Sequence, residues 1–593
     1  HSHGLVLSRS GGAPAGPHAG QAAAMTATVN RPASSSDAEA QRPKEKMTER
    51  LIGGVTPEYA IREILLGVTI CFAQIPESVA FAFMAHIKPP IALHAAWVVG
   101  LICSVFGGRP GMVNGATGAF AAIIGTFIPN AGTGLNGQGV ELLFPSVIVA
   151  GVLMLLVSAT NLSKFITLLP APVMIGFCNG LAIVIGLAQL HPFKDAETHE
   201  WKSGPEMLWM LIICFTSMSL MEFLPKLPLK IFKVIPSSLV AIIAAIVIEF
   251  AIVRGALGHR TDVIRDVSEF TLDTAIPIPF FANSEYDYGN IFDATVLGDN
   301  LGKIFVQGLL LCIVGTIESL MTSEVVESFV KTPSDGNRTV LATGAGNILS
   351  GFLGGMGGNA MIGLSTVNCL NGGRGRLGPT VTALGIMACV MGAYPLLNFI
   401  PVAALAGIMI VVVLHTFKWF SLWMLVACIL PKSIRDKLGP RFQRKVPRVE
   451  LFAIFAVTLL SNFPAGTNIA YAVGVGVAIC AINYAWKSGK TFTWRESFGN
   501  DGTKYYDIEG PLFFAATNRF IKVMNPDVDP DKVEVRFSDT TSIMDYSAME
   551  ALHRIAHSYA SKGKRVVFKS LCPESEKLIS KANRLCASIE YTS

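Results

Sequence analysis

The chain has 593 residues, of which 51% are hydrophobic and only 15% are charged. Soluble domains carry about 25% charged residues, so this composition excludes an ordinary soluble protein and indicates an integral membrane protein. The net charge of +5 is small for this length and gives no indication of a nucleic-acid partner.

Residues 1–50 are rich in Ala, Gly, Ser and Pro, and their first acidic residue is Asp37. Such a composition cannot bury a core, so we predict that this segment is disordered. An acid-poor start with scattered Arg and Ser also resembles an organellar transit segment. Because the sequence does not begin with Met, a truncated reading frame or a cloning remnant is an equal alternative. The host membrane, plasma or organellar, is therefore left open.

About fourteen hydrophobic segments of roughly membrane-spanning length follow, and they predict a transmembrane domain over residues 51–490. They lie at 62–83, 90–107, 113–128, 141–160, 165–190, 206–224, 234–253, 301–323, 338–353, 359–370, 379–394, 398–416, 449–463 and 467–487. The polar stretch 254–300 separates two groups of seven and is expected to be an external loop. Lys and Arg are concentrated in the even-numbered connections, including the basic loop 432–448, which predicts that both termini are cytoplasmic.

Two of these segments are short and interrupted by glycine, namely Asn114–Thr126 and Gly354–Asn368. Each is the third span of its half, a pattern that points to the central site of a transporter. A half-helix that begins near the middle of the membrane leaves N–H groups unpaired and directs the positive end of its dipole at the cavity. Two such ends can bind an anion without Arg or Lys. The alternative is that the glycines only allow close helix packing.

A carboxylate, Glu318, lies within the apolar run LLLCIVGTIESLMT of Leu309–Thr322. An ionisable group at membrane depth is costly and by default marks a functional site, although a hydrogen bond to a neighbouring helix is the simpler alternative. Thr322 is one helical turn further along the same face. Glu318 could hold Na⁺ when ionised or a proton when neutral. A second carboxylate, Glu77, follows Pro76, which is expected to break the helix and leave Glu77 facing water near a cavity.

Residues 503–593 are more polar and alternate short β runs with amphipathic helical patterns, which predicts a small cytoplasmic α/β domain. The predicted strands are Tyr505–Ile508, Pro511–Phe514, Val533–Phe537 and Arg565–Lys569. The predicted helices are Ala516–Val523, Asp545–Ser558 and Pro573–Leu585, the second of them capped by Asp545.

Several of these stretches resemble the SulP (sulfate permease) family of inorganic anion transporters. They are Gln74–Trp97, Phe106–Ile123, Thr316–Val325 and Gly354–Leu377. GPLFFAA (Gly510–Ala516) and MDYSAMEAL (Met544–Leu552) are similar to the STAS domain that these transporters carry. The resemblance implies an all-α polytopic membrane domain of about 14 transmembrane helices, arranged as seven plus seven inverted repeats with core and gate domains. It also implies a homodimer and substrate binding between two half-helix ends.

The resemblance assigns candidate roles to individual residues. The substrate-binding candidates are Thr117, Gly118 and Ala119 at the first half-helix, the backbone N–H groups of Ala360, Met361 and Ile362 at the second, and Glu77 and Phe81 in the first span. Glu318 falls where sodium-coupled bicarbonate members have an Asp that binds the cation, with Thr322 one turn away, so this pair is a possible Na⁺ site. Leu364 stands where many members have an Arg.

In the C-terminal domain, Ser547 lies where STAS domains can be phosphorylated, but it can equally be a polar residue near a helix cap.

We therefore expect secondary active transport of sulfate or bicarbonate, coupled to Na⁺ or H⁺. A passive anion channel or an anion exchanger on the same fold is the alternative, and a regulatory scaffold acting through cytoplasmic partners of the STAS domain is a third class. No nucleophile motif of an enzyme is present. No Cys/His cluster has zinc-ligand spacing, so no cofactor is expected beyond the coupling ion.

Overall fold

The computed structural model describes most of the chain. The described residues are 57–130, 139–164, 170–195, 198, 200–227, 236–283, 288, 294–431, 447–463, 469–538, 541–581 and 591–592. The predictions for residues 1–50 and for most of the basic loop 432–448 concern parts of the chain outside these ranges.

In the described part up to residue 283, the regular elements are helices and one two-residue strand. Its helices are α1 (Pro57–Met84), α2 (Pro89–Phe106), α3 (Gly118–Phe127), α4 (Leu143–Ala159), α5 (Ala171–Ala188), α6 (Pro205–Phe223) and α7 (Ser237–Val247). Strand β1 (Asn114–Gly115) precedes α3, and a π-helical stretch, Ile248–Arg254, continues α7. Two one-turn helices, Ile264–Val267 and Leu272–Ala275, lie within the predicted loop.

The next part of the chain is also mostly helical. Its helices are α8 (Ala294–Val330), α9 (Gly336–Phe352), α10 (Ile362–Leu370), α11 (Leu377–Gly392), α12 (Val402–Thr416), α13 (Phe420–Ile429), α14 (Arg448–Leu460) and α15 (Ile469–Lys490). Strand β2 (Asn359–Ala360) precedes α10, and a one-turn helix, Tyr394–Leu397, follows α11.

Every predicted hydrophobic segment overlaps one of these helices, and α13 is an additional one. Within the described ranges, 7 helical stretches are long and apolar enough to cross a bilayer, or 8 if the pair α12–α13, bent by 48°, forms one span. The first half-helix, α3, and α11 are apolar but shorter.

Pro76 does not break α1, which continues to Met84, so the expectation that Glu77 lies beyond a helix break is wrong. A proline within a helix leaves the carbonyl four residues earlier without its usual partner. Here that carbonyl belongs to Phe72, and the Ser238 hydroxyl of α7 donates to it at 3.4 Å. A neighbouring helix thus compensates for the lost hydrogen bond, as is common among membrane helices.

The chain divides into two compact units. The first contains α1–α4, the second part of α5 from Cys178, and α6–α12. The second contains the start of α5, then α13, α14, nearly all of α15 and the C-terminal domain.

The C-terminal domain is built on a five-stranded sheet with the order β3-β4-β5-β6-β7. The strands are Thr493–Phe498, Lys504–Glu509, Lys532–Phe537, Arg565–Lys569 and Tyr591–Thr592. The pair β3–β4 is antiparallel, and the other pairs are parallel. Three helices follow β4, β5 and β6 in turn: α16 (Thr517–Val523), α17 (Tyr546–Ala560) and α18 (Pro573–Lys581).

Two details of this domain correct the sequence prediction. Pro511–Phe514 is not a strand; the chain turns at Gly510, which has a φ of 99°, and only Leu512 forms an isolated bridge with Ile543. Strand β3 begins before the predicted boundary at residue 503. All six of its residues are exposed, so it lacks the apolar alternation by which a half-buried strand is recognised. The Asp545 cap is confirmed, since its carboxylate accepts the Ala548 N–H at 2.9 Å.

A buried ionic cluster joins β4 to the segment before β5. Asp529 is 3% exposed, and its carboxylate accepts hydrogen bonds from Lys504 at 2.8 Å, from Tyr506 at 2.8 Å and from Tyr559. Burial alone would raise the pKa of the Asp529 carboxyl, but the hydrogen bonds from Lys504, Tyr559 and Tyr506 outweigh burial and hold the pKa below its usual value. The cluster therefore fixes Asp529 in its charged form.

Asp529→Asn is expected to loosen the sheet, because it removes the charge that holds Lys504. Losing a hydrogen bond to a charged group costs about 1.5–3 kcal/mol, which corresponds to about 10- to 100-fold faster amide exchange in β4 and β5 if they open together. Hydrogen exchange read by mass spectrometry on the whole protein measures this. Asp527→Asn is the matched control, because Asp527 lies two residues earlier and pairs with Lys562 at the surface. Since the Asp529 pKa is lowered on folding, its stabilisation is present above the ordinary value of 3.8 and is lost as the pH falls below it.

Candidate functional site

The two glycine-interrupted segments meet in the first unit. Strands β1 and β2 pair antiparallel, with Asn114 opposite Ala360 and Gly115 opposite Asn359. Each strand leads within three residues into a short helix, α3 or α10, which we call the half-helices. Because the strands are antiparallel, the half-helices run away from the crossing in opposite directions. Their N-termini therefore lie on the two sides of one backbone crossing.

The crossing is so close that it requires glycine. A Cβ atom at Gly358 would lie 2.0 Å from the carbonyl oxygen of Gly115, and one at Gly115 would lie 2.1 Å from Nε2 of Gln74. A side chain at position 358 would therefore displace backbone, and one at position 115 would displace the buried amide of Gln74. These two glycines thus allow the two strands to pack closely, and this packing brings the half-helices together.

Buried amides hold the crossing in place. The Asn347 side chain accepts the Gly358 N–H at 2.8 Å and donates to the Gly358 carbonyl at 2.9 Å. Nε2 of Gln74 donates to the Asn114 carbonyl at 3.1 Å. Asn347 and Gln74 are fully buried, so neither can exchange these hydrogen bonds for water without opening the structure.

The first half-helix presents three N–H groups without an intrahelical partner. Its first intrahelical hydrogen bond runs from the Ala121 N–H to the Thr117 carbonyl at 3.0 Å. The N–H groups of Gly118, Ala119 and Phe120 therefore lack helix partners, as expected at a helix start. Thr117 is the cap residue with extended backbone, and its hydroxyl does not cap the helix.

The second half-helix presents its N–H groups later than the sequence predicted. The Met361 N–H donates to the Val113 carbonyl at 2.9 Å, and the Ala360 N–H donates to the Ser319 hydroxyl at 3.4 Å. The expectation that both face an anion is therefore wrong, because the Met361 N–H bonds to the first segment and the Ala360 N–H bonds to α8. Ser365 makes the first intrahelical hydrogen bond, to Met361, which leaves the N–H groups of residues 362–364 without helix partners.

Glu318 lies beside this crossing. It is 5% exposed, and its carboxylate accepts a hydrogen bond from Nδ2 of Asn359 at 2.7 Å. The carboxylate also interacts electrostatically with the Thr117 hydroxyl, whose oxygen is buried and has no hydrogen bond of normal geometry within the described ranges. The Glu318 side chain of α8 thus contacts a residue just before each half-helix, Thr117 before the first and Asn359 before the second.

Thr322 is on the same face of α8, and it also reaches β2. Its hydroxyl donates to the Glu318 carbonyl at 2.7 Å and lies 3.4 Å from the Ala360 carbonyl. The hydroxyl proton is therefore directed at backbone oxygens, while the hydroxyl oxygen keeps its lone pairs for a ligand.

The two candidates from α1 differ in their placement. Phe81 contacts the first half-helix, since a Cβ atom at Gly118 would lie 3.1 Å from its ring. Glu77 is 7% exposed and makes no hydrogen bond or ion pair within the residues that the structure describes. Glu77 is thus a second buried carboxylate, and one without the partner that Glu318 has.

Sequence reasoning missed two residues of the site. Asn359 is the polar residue within the glycine run GGMGGNA, a signal that could have been used. Ile185 of α5 covers the first half-helix, because a Cβ atom at Gly118 would lie 2.5 Å from its Cδ1. An isoleucine in an apolar helix gives no comparable signal.

Neither half-helix carries a Lys or an Arg. Leu364 is buried, at 5% exposed. The positive potential that the half-helices offer therefore comes from backbone N–H groups and helix dipoles. In the second unit, Ser547 is the second residue of α17, half-buried beside the Asp545 cap.

The chain matches the model of the sulfate permease family over residues 61–429, which is more than half of its length. The chain belongs to the sulfate permease family. The matched residues include both half-helices and α8, which form the site.

Relatives in the sulfate permease family cover most of the chain. YbaR of Bacillus subtilis (strain 168), which is named as a sulfate transporter, is 29% identical over 518 residues, covering 87% of this chain and 96% of its own. The bicarbonate transporter BicA of Picosynechococcus sp. is 28% identical over 373 residues, covering 60% of this chain and 62% of its own.

Solved structures have the same fold. The structure of SLC26A9 matches with a TM-score of 0.69 at 15% identity, covering 92% of this chain and 89% of that one. The transmembrane domain of a cyanobacterial bicarbonate transporter, BicA, matches with a TM-score of 0.54 at 23% identity, covering 71% of this chain and 97% of that one. Membership of the sulfate permease family, together with the long apolar helices, makes the protein an integral membrane protein of a transporter family and not an enzyme.

Proposed function

We propose that this protein is a secondary active transporter of a small inorganic oxyanion, sulfate or bicarbonate, coupled to Na⁺ or H⁺. The observation that carries the proposal is the meeting of two half-helix N-termini at the β1–β2 crossing, directly beside the buried carboxylate of Glu318. The names of the relatives, which include sulfate and bicarbonate transporters, support the same substrate class.

The coupling follows from charge. Each half-helix N-terminus offers an anion roughly half a positive charge and several free N–H groups. An ionised Glu318 close by would repel that anion unless a cation or a proton neutralised it. Cation binding at Glu318 therefore favours anion binding at the half-helices, and the reverse holds equally. Position 364 is Leu and not Arg, so it adds no positive charge. The coupling ion therefore contributes more to holding the anion than it would beside an Arg.

The residues divide into an anion side and a cation side. The anion side consists of the N–H groups of residues 118–120 in the first half-helix and of residues 362–364 in the second. Phe120 is thus an additional donor, and Ile362 to Leu364 replace the predicted donors Ala360 and Met361. Thr117 lies between the two sides, since its hydroxyl adjoins Glu318. Glu318 and Thr322 form the cation side. Phe81 packs over the anion side, and Glu77 is a further protonatable group on α1.

We further propose the family's architecture for the whole chain. It has about 14 spans in two inverted repeats, a core and a gate domain that move by alternating access, and cytoplasmic termini. The paired half-helices, each the third span of its half, support the repeat. The C-terminal unit from β3 onward would be the STAS domain, with Ser547 as a modification site and with cytoplasmic partners. The transporter would be a homodimer.

Uptake of radiolabelled sulfate and of bicarbonate into proteoliposomes tests the function. Gradients of Na⁺ and of pH are imposed separately, with the other ion equal on both sides. Accumulation driven by one gradient supports the proposal and identifies the coupling ion. Uptake that needs a second anion inside would instead indicate an exchanger, and large unitary conductance in electrical recordings would indicate a channel.

Asn359→Ala is expected to weaken binding of the coupling ion more than binding of the anion. The change removes the hydrogen bond that orients the Glu318 carboxylate but leaves the carboxylate itself. Loss of one such charge-assisted hydrogen bond predicts a rise in the apparent KM for the coupling cation of about tenfold, with a smaller change in maximal rate. Uptake rates measured against cation concentration check this. An unchanged cation KM would mean that Asn359 is only a packing residue.

A further inference from the structure

Two histidines from different parts of the first unit lie edge to face. The rings of His86 and His191 have centroids 6.0 Å apart and planes at 85°. Both residues are exposed. His86 has a φ of 56°, a left-handed backbone conformation that few residues other than glycine adopt. The contact is therefore between two titratable rings, one of them on a constrained turn.

Each histidine is attached to a different group of helices. His86 follows the end of α1, which packs on the first half-helix, since a Cβ atom at Gly125 would lie 2.5 Å from the Met84 carbonyl oxygen. His191 opens the turn that ends at Phe193. Phe193 is buried in an apolar cluster formed with α6, α7 and α12, whose members include Met210, Ala245 and Ala404.

The line between two contacts, Ile185–Gly118 and His86–His191, leads from this pair to the anion side of the site. Ile185 and His191 are on the same segment, α5 and the turn after it, while Gly118 and His86 are on the α3 and α1 side. We call this line, from the Ile185–Gly118 contact to the His86–His191 contact, the outer seam. If the outer seam opened, the N-terminus of the first half-helix would become accessible from the histidine end.

Few charges act on the outer seam. Helices α3 and α5 contain no charged residue. Lys88 lies two residues beyond His86, Lys194 stacks on the Trp201 ring at 5.2 Å, and Asp195 accepts the Thr198 N–H at 3.0 Å. Within the described ranges, His191 is the charged group whose field lowers the pKa of His86, after partial burial, which is the larger cause.

We propose that His86 and His191 form a proton-operated latch, in which the neutral rings hold the outer seam closed and protonation of both rings opens it. The proposal rests on the alternating-access transport proposed above. The predicted orientation directs this end away from the cytoplasm, so the latch would respond to the pH outside and acid would favour the outward-open state.

The sign and size follow from electrostatics. The closed seam favours neutral histidine, because its environment lowers the His86 pKa. Closing of the outer seam is therefore unaffected at high pH, and it is disfavoured as the pH falls below the pKa that the histidines have in the open state. Two unit charges about 6 Å apart in a medium close to water change an equilibrium constant by about threefold.

Accessibility of Ile185→Cys to a membrane-impermeant maleimide, added outside whole-protein proteoliposomes, tests the latch. Labelling is measured at outside pH 7.5 and 5.5 with the latch intact and with His86→Gln or His191→Gln. The chain without Ile185→Cys gives the background of native cysteines. The labelling rate with the latch intact is divided by the labelling rate with His86→Gln, which cancels the effect of pH on the thiol. This ratio is expected to be about threefold higher at pH 5.5 than at pH 7.5. His259→Gln, a histidine without a ring partner within the described ranges, is the matched control.

A constant ratio, or the same change with His259→Gln, overturns the latch. Absence of labelling at every pH in protein that transports also overturns it, because the outer seam would then not open at this end. Labelled-anion uptake by proteoliposomes of the chain without Ile185→Cys separates the two proposals. No uptake contradicts the proposed transport, whereas uptake with pH-independent labelling contradicts the latch alone.

Discussion

Glu318→Gln is expected to abolish the dependence of anion uptake on the coupling cation. Glutamine keeps the size of the side chain and an oxygen that can accept the Asn359 hydrogen bond, so the packing around α8 is preserved. The negative charge is lost, and with it the ligand that would hold Na⁺ or carry a proton. A hydrogen bond or ion contact to a charged group contributes about 1.5–3 kcal/mol, so cation-stimulated uptake should fall about 10- to 100-fold.

The measurement is initial uptake of labelled sulfate or bicarbonate with the Na⁺ and pH gradients varied independently. Glu324→Gln is the matched control, since Glu324 is on the same helix, six residues on, and is exposed. Its uptake should stay within about twofold of the unchanged protein. If Glu318→Gln kept full cation-dependent uptake, the coupling site would lie elsewhere, and Glu77 would be the next carboxylate to replace.

The sequence alone predicted the half-helices and Glu318 because their signals are local. A carboxylate in an apolar run and glycines in two short segments are visible without knowing what they contact. What the sequence could not supply was the β1–β2 pairing, which joins residues far apart in the chain. The Met361 N–H bonds to the segment of β1 and the Ala360 N–H bonds to Ser319 of α8, so the free donors begin two residues later than expected.

Other corrections have the same origin. Pro76 was expected to end the first helix, but Ser238, distant in sequence, bonds the carbonyl that proline leaves free. Asn359 became a site residue only once its partner Glu318 was known. Strand β3 was missed for a different reason, since all its residues are exposed and it carries no apolar pattern. Local sequence patterns identify helices, strands and ionisable site candidates. Contacts between residues far apart in the sequence decide which backbone N–H groups stay free.

Gly358→Ala is expected to disrupt the site more severely than any polar change around it. The added Cβ would lie 2.0 Å from the carbonyl oxygen and 2.6 Å from the carbonyl carbon of Gly115. Both are backbone atoms of β1, which is itself fixed by Gln74. Overpacking in a tight core costs about 1–3 kcal/mol, and it costs more where backbone must move.

The expected result is a lower thermal midpoint in detergent, by several degrees, together with loss of anion uptake in the fraction that stays folded. Uptake should fall because the relief of the clash separates β1 from β2, and the two half-helix N-termini lie beside Glu318 only while these strands are paired. Gly302→Ala, in α8, is the matched control: a Cβ there meets nothing within 4 Å, and alanine favours a helix over glycine by about 0.5–1 kcal/mol. If Gly358→Ala were as stable and as active as Gly302→Ala, the close crossing could not be what assembles the anion site.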